Sequence, residues 1–191
     1  MKLILASISP RREELLRKAG YDFEVRPSGV EEGEPGAGEL PEDFARRAAR
    51  AKALAVASAL PAGNWVLGAD TVVTLDGLVL QKPAGPAEAA RMLRLLAGRT
   101  HQVITAICLV KAPDHIHALT HETTQVTFAE LSDEDIRAYI ATPEPYDKAG
   151  GYAVQGLASK FVTHIAGSHS NVVGLPIALL RRVLTSREAH P

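Results

Sequence analysis

Short runs of aliphatic and β-branched residues alternate with amphipathic segments along most of the chain, and this alternation constrains the fold most strongly. The first run, 3–6, leads through Ser9 and Pro10 into a helical segment that Gly20 ends. A proline at the first helical position and a glycine after the last are typical helix boundaries. Repeated strand and helix units predict an α/β fold, in which helices flank a twisted mixed sheet.

The same periodicity and punctuation predict the remaining elements. Further helices are expected at 41–60, 86–97, 132–141 and after Pro176, and strands at 23–26, 65–68, 101–110, 116–128 and 160–165. Segments 72–75 and 78–80 flank Asp76-Gly77, the dipeptide favoured in two-residue type I′ hairpins, so a hairpin is expected just after Asp70. Because no linker divides the chain, we expect a single domain over residues 1–191, with two lobes and a central cleft.

Composition excludes several classes of protein. The 21 Lys and Arg nearly balance the 22 Asp and Glu, so no overall field attracts nucleic acid or an anionic membrane. A lone cysteine, Cys108, excludes an internal disulfide and a multi-cysteine metal site, and it points to a reducing compartment. Run 3–6 is too short for a signal peptide, and no stretch of about 20 apolar residues is present. We expect a cytoplasmic protein that binds neither nucleic acid nor a membrane.

Hydroxyls and guanidiniums gather where the first strand gives way to the first helix, in Ser7-Ile8-Ser9-Pro10-Arg11-Arg12. Free backbone N–H groups and the helix dipole favour an anion at the start of a helix. A guanidinium group can also donate two parallel hydrogen bonds to the oxygens of one phosphate. The alternative is a simple N-cap followed by two solvated arginines. The motif therefore indicates a phosphate site only in combination with others.

Asp70 follows an apolar strand, a position where α/β sheets commonly carry functional groups. It could accept a proton from water or bind a divalent ion. Glu31 and Glu32, in an acidic loop, could join it around Mg²⁺, which takes one or two carboxylates together with phosphate oxygens. The alternatives are a turn aspartate that binds backbone N–H groups and a solvated acidic loop.

Two lysines and one amide complete the candidates. Lys52, in the long helix, and Lys82, after the predicted hairpin, are possible point charges for a polyphosphate, although most lysines are merely exposed. Gln155 lies in a glycine-rich segment, 146–156, and its amide can read a base edge by paired hydrogen bonds. A glycine-rich turn with a surface ion pair is the alternative.

Taken in order, these motifs resemble the Maf family of nucleoside triphosphate pyrophosphatases, and the resemblance extends from Leu3 to Leu180. The matching positions are the S-x-S-P-R-R motif at 7–12, Glu32, Lys52, Asp70-Thr71, Lys82-Pro83, and the segments at 147–150, 152–156 and 171–176.

The resemblance implies a cytoplasmic homodimer that needs a divalent metal, Mg²⁺ or Mn²⁺, and hydrolyses nucleoside triphosphates to the monophosphate and pyrophosphate. Asp70 would accept the proton, and Asp70 and Glu32 would hold the metal. Phosphates would be bound by Arg12, Lys52 and Lys82, with Ser7 and Ser9 completing the site.

Substrate choice within the family follows three positions, which here are Arg11, Thr71 and Gln155. This combination resembles the branch that acts on dTTP and UTP and removes non-standard nucleotides. Two alternatives stay open: the branch that acts on 7-methyl-GTP, and a nucleotide-binding regulator of septum formation and cell division.

Overall fold

The computed structural model describes residues 3–188, and within them the α/β prediction is confirmed. The strands are β1 (Leu3–Leu5), β2 (Phe23–Val25), β3 (Trp65–Leu75), β4 (Leu78–Leu80), β5 (Thr100–Lys111), β6 (His115–Phe128) and β7 (Val162–Ala166). The helices are α1 (Pro10–Lys18), α2 (Pro41–Ala57), α3 (Pro86–Leu96), α4 (Asp133–Ile140), α5 (His169–Val173) and α6 (Ile177–Glu188). Short 3₁₀ turns lie at Glu144–Asp147, Ala149–Gly151 and Leu157–Phe161. The expectation of one domain also covers residues 1–2 and 189–191, which lie outside the described residues.

The strands form one mixed sheet in the order β2-β1-β3-β5-β6-β7, and β4 pairs with β3. Strand β1 is parallel to β2 and to β3, whereas β3 with β4 and β6 with β7 are antiparallel. Leu5, at the end of β1, pairs with Leu67. Strand β3 therefore continues past the end of its parallel neighbour, beside the connection from β1 to α1.

The described residues divide into two compact units. The first unit contains the chain up to Thr71, the segment Thr105–Glu122 and the chain from Gly174 onward. Its core includes Leu5, Leu16, Leu67 and Leu180, which are fully buried. Helix α1 contributes Leu16 to this core and exposes Glu14, Arg17 and Lys18, as the amphipathic pattern predicts, but its Arg12 is buried.

The second unit contains Val72–Ile104 and Thr123–Val173. Three aromatic rings lie in edge contact in its core: the centroid of Phe128 is 5.1 Å from that of His101 and 4.8 Å from that of Tyr152. The predicted hairpin is confirmed, because Asp76 and Gly77 join β3 to β4 with φ of 52° and 81°. A type I′ turn requires positive φ at both positions, which explains the Asp-Gly pair.

Several boundaries differ from the predictions. The strand expected at 160–165 begins at Val162, because Leu157–Phe161 form a 3₁₀ turn. Helix α5 is not predicted by the sequence, since its five residues are too few for a 3.6-residue period to emerge. The start of α4 agrees with prediction: Ser132 caps it and forms a capping box with Asp135. Among the described residues, no helix has the length and apolar character needed to span a membrane.

Candidate active site

Glycine at position 68 lets α2 pack directly on β3. A Cβ atom at Gly68 would lie 2.7 Å from the amide nitrogen of Ala53 and 2.8 Å from its Cβ, well inside an ordinary contact. Lys52 is the neighbour of Ala53 on α2, and Asp70 lies two residues after Gly68, on the same face of β3. The close approach therefore brings the Lys52 side chain to Asp70.

The Lys52 ammonium group lies between two carboxylates. Its Nζ is 2.6 Å from Asp70 Oδ1 and 2.7 Å from Glu32 Oε1. The side chains of Lys52 and Asp70 are only 8% and 3% exposed, whereas that of Glu32 is 36% exposed. Burial raises the pKa of the Asp70 carboxyl above its ordinary value, and the Lys52 ammonium opposes this rise. Lys52 thus favours the ionised carboxylate that a general base must be.

The Arg12 guanidinium is held in place by nitrogen-to-oxygen hydrogen bonds. Nε donates to the Gly174 carbonyl (2.8 Å), Nη1 to Ser7 Oγ (3.2 Å) and Nη2 to Thr71 Oγ1 (3.1 Å). Arg12 is buried, and burial lowers its pKa while the carboxylates of Asp70 and Glu32 oppose that effect. A guanidinium fixed in this way keeps a positive charge near Asp70.

The start of α1 is built differently from the expected serine cap. Ser9 occupies the N-cap position with extended backbone, but its hydroxyl makes no capping bond to the described residues of α1. Its amide instead donates to Ser7 Oγ at 3.1 Å. Arg11 is half-buried in the first turn of the helix. Ser7 therefore links the start of α1 to the Arg12 guanidinium.

One prediction about Asp70 is wrong: it lies inside β3 and not at the end of a strand. Strand pairing continues on both sides of it, with β1 before it and β4 after it. It does lie beyond the end of β1, however, which leaves its carboxyl beside the turn into α1. Glu31 is exposed, so of the two acidic-loop residues only Glu32 contacts Lys52.

The first unit thus contains the predicted residues Ser7, Ser9, Arg11, Arg12, Glu32, Lys52, Asp70 and Thr71. Lys82, exposed after β4, and Gln155, exposed between two 3₁₀ turns, belong to the second unit. Sequence reasoning missed the packing role of Gly68, the Gly174 carbonyl and Thr105. The glycines stand within motifs already noted, whereas Thr105 lies in a plain apolar strand that carries no signal.

The carboxylate pair fits a divalent cation that arrives with a phosphate. Within residues 3–188 no group of three or more His, Cys, Asp and Glu side chains could hold a metal. Asp70 and Glu32 nevertheless converge on one positive charge, the Lys52 ammonium. Magnesium commonly binds one or two carboxylates and takes its other oxygen ligands from water and phosphate. The donor set therefore suits a metal bound together with a polyphosphate.

Comparison with solved structures places the fold in a known class. The structure of the Staphylococcus aureus Ham1 protein aligns with 98% of this chain and 100% of its own length, with a TM-score of 0.54 and 16% sequence identity. The two proteins share an α/β fold.

The family follows from sequence comparison. Residues 2–187 match the family model described as Maf-like protein, and the chain belongs to this family. A relative from Koribacter versatilis, named dTTP/UTP pyrophosphatase, is 53% identical over 96% of this chain and 93% of its own. Relatives of the same name from Bacillus anthracis and Moorella thermoacetica are 49% and 46% identical, again over 96% of this chain, and over 94% and 93% of their own.

Proposed function

We propose that this protein is a nucleoside triphosphate pyrophosphatase that hydrolyses dTTP and UTP to the nucleoside monophosphate and pyrophosphate. Relatives about half identical over 96% of the chain carry the name dTTP/UTP pyrophosphatase. The structural observation that supports the proposal is the buried Asp70 carboxylate, 2.6 Å from Lys52 Nζ. A buried carboxylate beside fixed cations suits water activation next to a polyphosphate.

In the proposed reaction, water attacks the α-phosphorus and Asp70 accepts its proton. The bond between the α-phosphorus and the oxygen bridging to the β-phosphorus breaks, and its electron pair leaves with pyrophosphate. Arg12, Lys52 and Lys82 neutralise the charge that develops on the phosphate oxygens. General-base catalysis of this kind contributes about 10²- to 10⁴-fold in rate.

Asp70 and Glu32 would hold the divalent metal, Mg²⁺ or Mn²⁺. When bound, the metal would neutralise charge on the phosphate oxygens. Ser7 and Ser9, at the start of α1, complete the proposed phosphate site. Ser7 contributes indirectly as well, because its hydroxyl accepts a hydrogen bond from Arg12.

Arg11, Thr71 and Gln155 are the proposed specificity positions. The exposed Gln155 carboxamide can both donate and accept hydrogen bonds, as recognition of a pyrimidine edge requires. The proposal also includes a cytoplasmic homodimer that acts as one domain, and a role in removing non-standard nucleotides.

The test is pyrophosphate release from dTTP, UTP, CTP, GTP and 7-methyl-GTP with Mg²⁺ or Mn²⁺. Asp70→Asn is compared with wild type, and Asp76→Asn, which changes an exposed turn carboxylate, is the matched control. We expect release from dTTP and UTP, a loss of about 10²-fold or more in Asp70→Asn, and wild-type rates in Asp76→Asn.

Two results would overturn parts of the proposal. A preference for 7-methyl-GTP would refute the substrate assignment and leave the reaction intact. Nucleotide binding without pyrophosphate release from any of the triphosphates would refute the reaction itself.

A further inference from the structure

The hydroxyl of Thr71 is engaged by a hydrogen-bond chain within the protein. Its Oγ1 lies 3.1 Å from Arg12 Nη2 and 2.9 Å from Thr105 Oγ1. Thr105 is on β5 and is completely buried, with a relative exposure of 0%. The chain therefore runs from a buried residue, through Thr71, to the guanidinium.

The chemistry of the groups determines the direction of the first bond. A guanidinium only donates, so Thr71 Oγ1 must accept from Arg12. The remaining bond joins the two hydroxyls, and it limits the rotation of the Thr71 side chain whichever hydroxyl donates. Thr105 thereby holds the acceptor oxygen of Thr71 toward Arg12 Nη2.

A hydroxyl buried at position 105 needs hydrogen bonds, and Thr71 Oγ1 is one of its partners. A buried hydroxyl costs about 1–3 kcal/mol when it lacks a hydrogen bond, and valine has nearly the same shape without that cost. The neighbours Ile104 and Ala106 are apolar and buried. Packing alone would therefore be served as well by valine as by threonine.

We propose that Thr105 is a positioning residue for the phosphate-binding Arg12, and that it acts through the hydroxyl of Thr71. This inference rests on the proposed function, in which Arg12 binds the phosphates of the nucleotide. Thr105 and Thr71 fix the orientation of the guanidinium before substrate arrives, which reduces the ordering that binding requires.

The test compares Thr105→Val, which removes the hydroxyl, with Thr105→Ser, which keeps it. The matched control is Thr74→Val: Thr74 is 3% exposed, and its Oγ1 has no hydrogen-bond partner within residues 3–188. A neutral hydrogen bond contributes about 1 kcal/mol. We therefore expect kcat/KM for dTTP to fall about fivefold in Thr105→Val, to recover to within about twofold in Thr105→Ser, and to be unchanged in Thr74→Val.

A double-mutant cycle separates positioning from a general structural defect. In an Arg12→Lys background, Thr105→Val should change kcat/KM by less than about 1.5-fold, because the guanidinium that Thr105 positions through Thr71 is already absent. The affinity for inorganic pyrophosphate, measured by calorimetry, should fall about fivefold in Thr105→Val and in Thr71→Val. If Thr105→Val fails to fold, the pyrophosphate affinity of Thr71→Val tests the same series of hydrogen bonds.

Equal loss in the wild-type and Arg12→Lys backgrounds would overturn the inference. So would unaltered pyrophosphate affinity in a folded variant of either threonine. Failure of the wild-type protein to release pyrophosphate from dTTP or UTP would instead refute the proposed function, so the two failures are distinguishable.

Discussion

Adding a single methyl group at position 68 should separate α2 from β3. In Gly68→Ala the new Cβ would overlap the Ala49 carbonyl oxygen most closely and would lie 2.7 Å from Ala53 N, whereas ordinary contacts begin at about 3.4 Å. The helix must therefore move by about 0.7 Å or more. Overpacking usually costs about 1–3 kcal/mol, and because the new contacts are with backbone we expect a value near 3 kcal/mol.

A loss of about 3 kcal/mol lowers the melting temperature by about 6–12 °C in a chain of this size. Because α2 carries Lys52, the same shift displaces its ammonium from Asp70. A misplacement of about 1 Å can cost 10²-fold in rate, so kcat/KM for dTTP should fall by at least about tenfold. Melting is followed by circular dichroism, and activity by pyrophosphate release at a temperature where the variant is folded.

The matched control is Gly36→Ala, which adds the same methyl group to a loop of the same unit. Its Cβ would meet Glu39 at 3.6 Å and 3.8 Å, which are ordinary contacts. We expect its stability to change by less than about 0.5 kcal/mol. Melting temperatures that are the same for Gly68→Ala and Gly36→Ala would refute the close approach as the reason for glycine at 68.

Three further predictions concern single side chains. Glu32→Gln should raise the Mn²⁺ concentration for half-maximal activity about tenfold; an unchanged metal titration would contradict a ligand role for Glu32. Burial lowers the pKa of His101 from 6.5 to about 4. Between these two pH values the unfolded chain binds more protons than the folded protein, so the free energy of unfolding falls as the pH falls, by about 3 kcal/mol in total. Urea unfolding at pH 7 and pH 4 should therefore show a loss of stability about 3 kcal/mol larger in wild type than in His101→Gln. Equal losses in the two proteins would refute the contribution of His101. Burial raises the pKa of Cys108 to about 12, so a disulfide reagent at pH 8 should label it only after unfolding in guanidinium, and labelling of the native protein within minutes would contradict its burial.

Local patterns in the sequence were sufficient for most elements of the fold. Proline and glycine at the helix ends, the Asp-Gly turn and the capping residue Ser132 act over a few residues, and each predicts a boundary that the structure confirms. Gly68 and Asp70 have low strand propensity, which favours a strand break at Asp70. The structure shows that this expected break is wrong, because β3 continues through both residues. Their conformation is determined instead by neighbouring strands, β1 and β4, which are distant in sequence.

The sequence predicted which residues are candidates for the site, but it did not predict most of the hydrogen bonds between them. Motif order placed Glu32, Lys52 and Asp70 among the candidates, and the structure brings these three together. The bond from Arg12 to Gly174 spans 162 positions, and no local pattern contains such a contact. The catalytic, metal-binding and specificity roles of these residues, and of Lys82 and Gln155, stay predictions.

The position of bond cleavage tests the proposed reaction most directly. Hydrolysis of dTTP in ¹⁸O-labelled water, followed by mass spectrometry of both products, shows which phosphorus the water attacks. Attack at the α-phosphorus, which the proposed reaction requires, places the label in the nucleoside monophosphate and leaves pyrophosphate unlabelled. Label in pyrophosphate, or release of inorganic phosphate and the diphosphate, would contradict it.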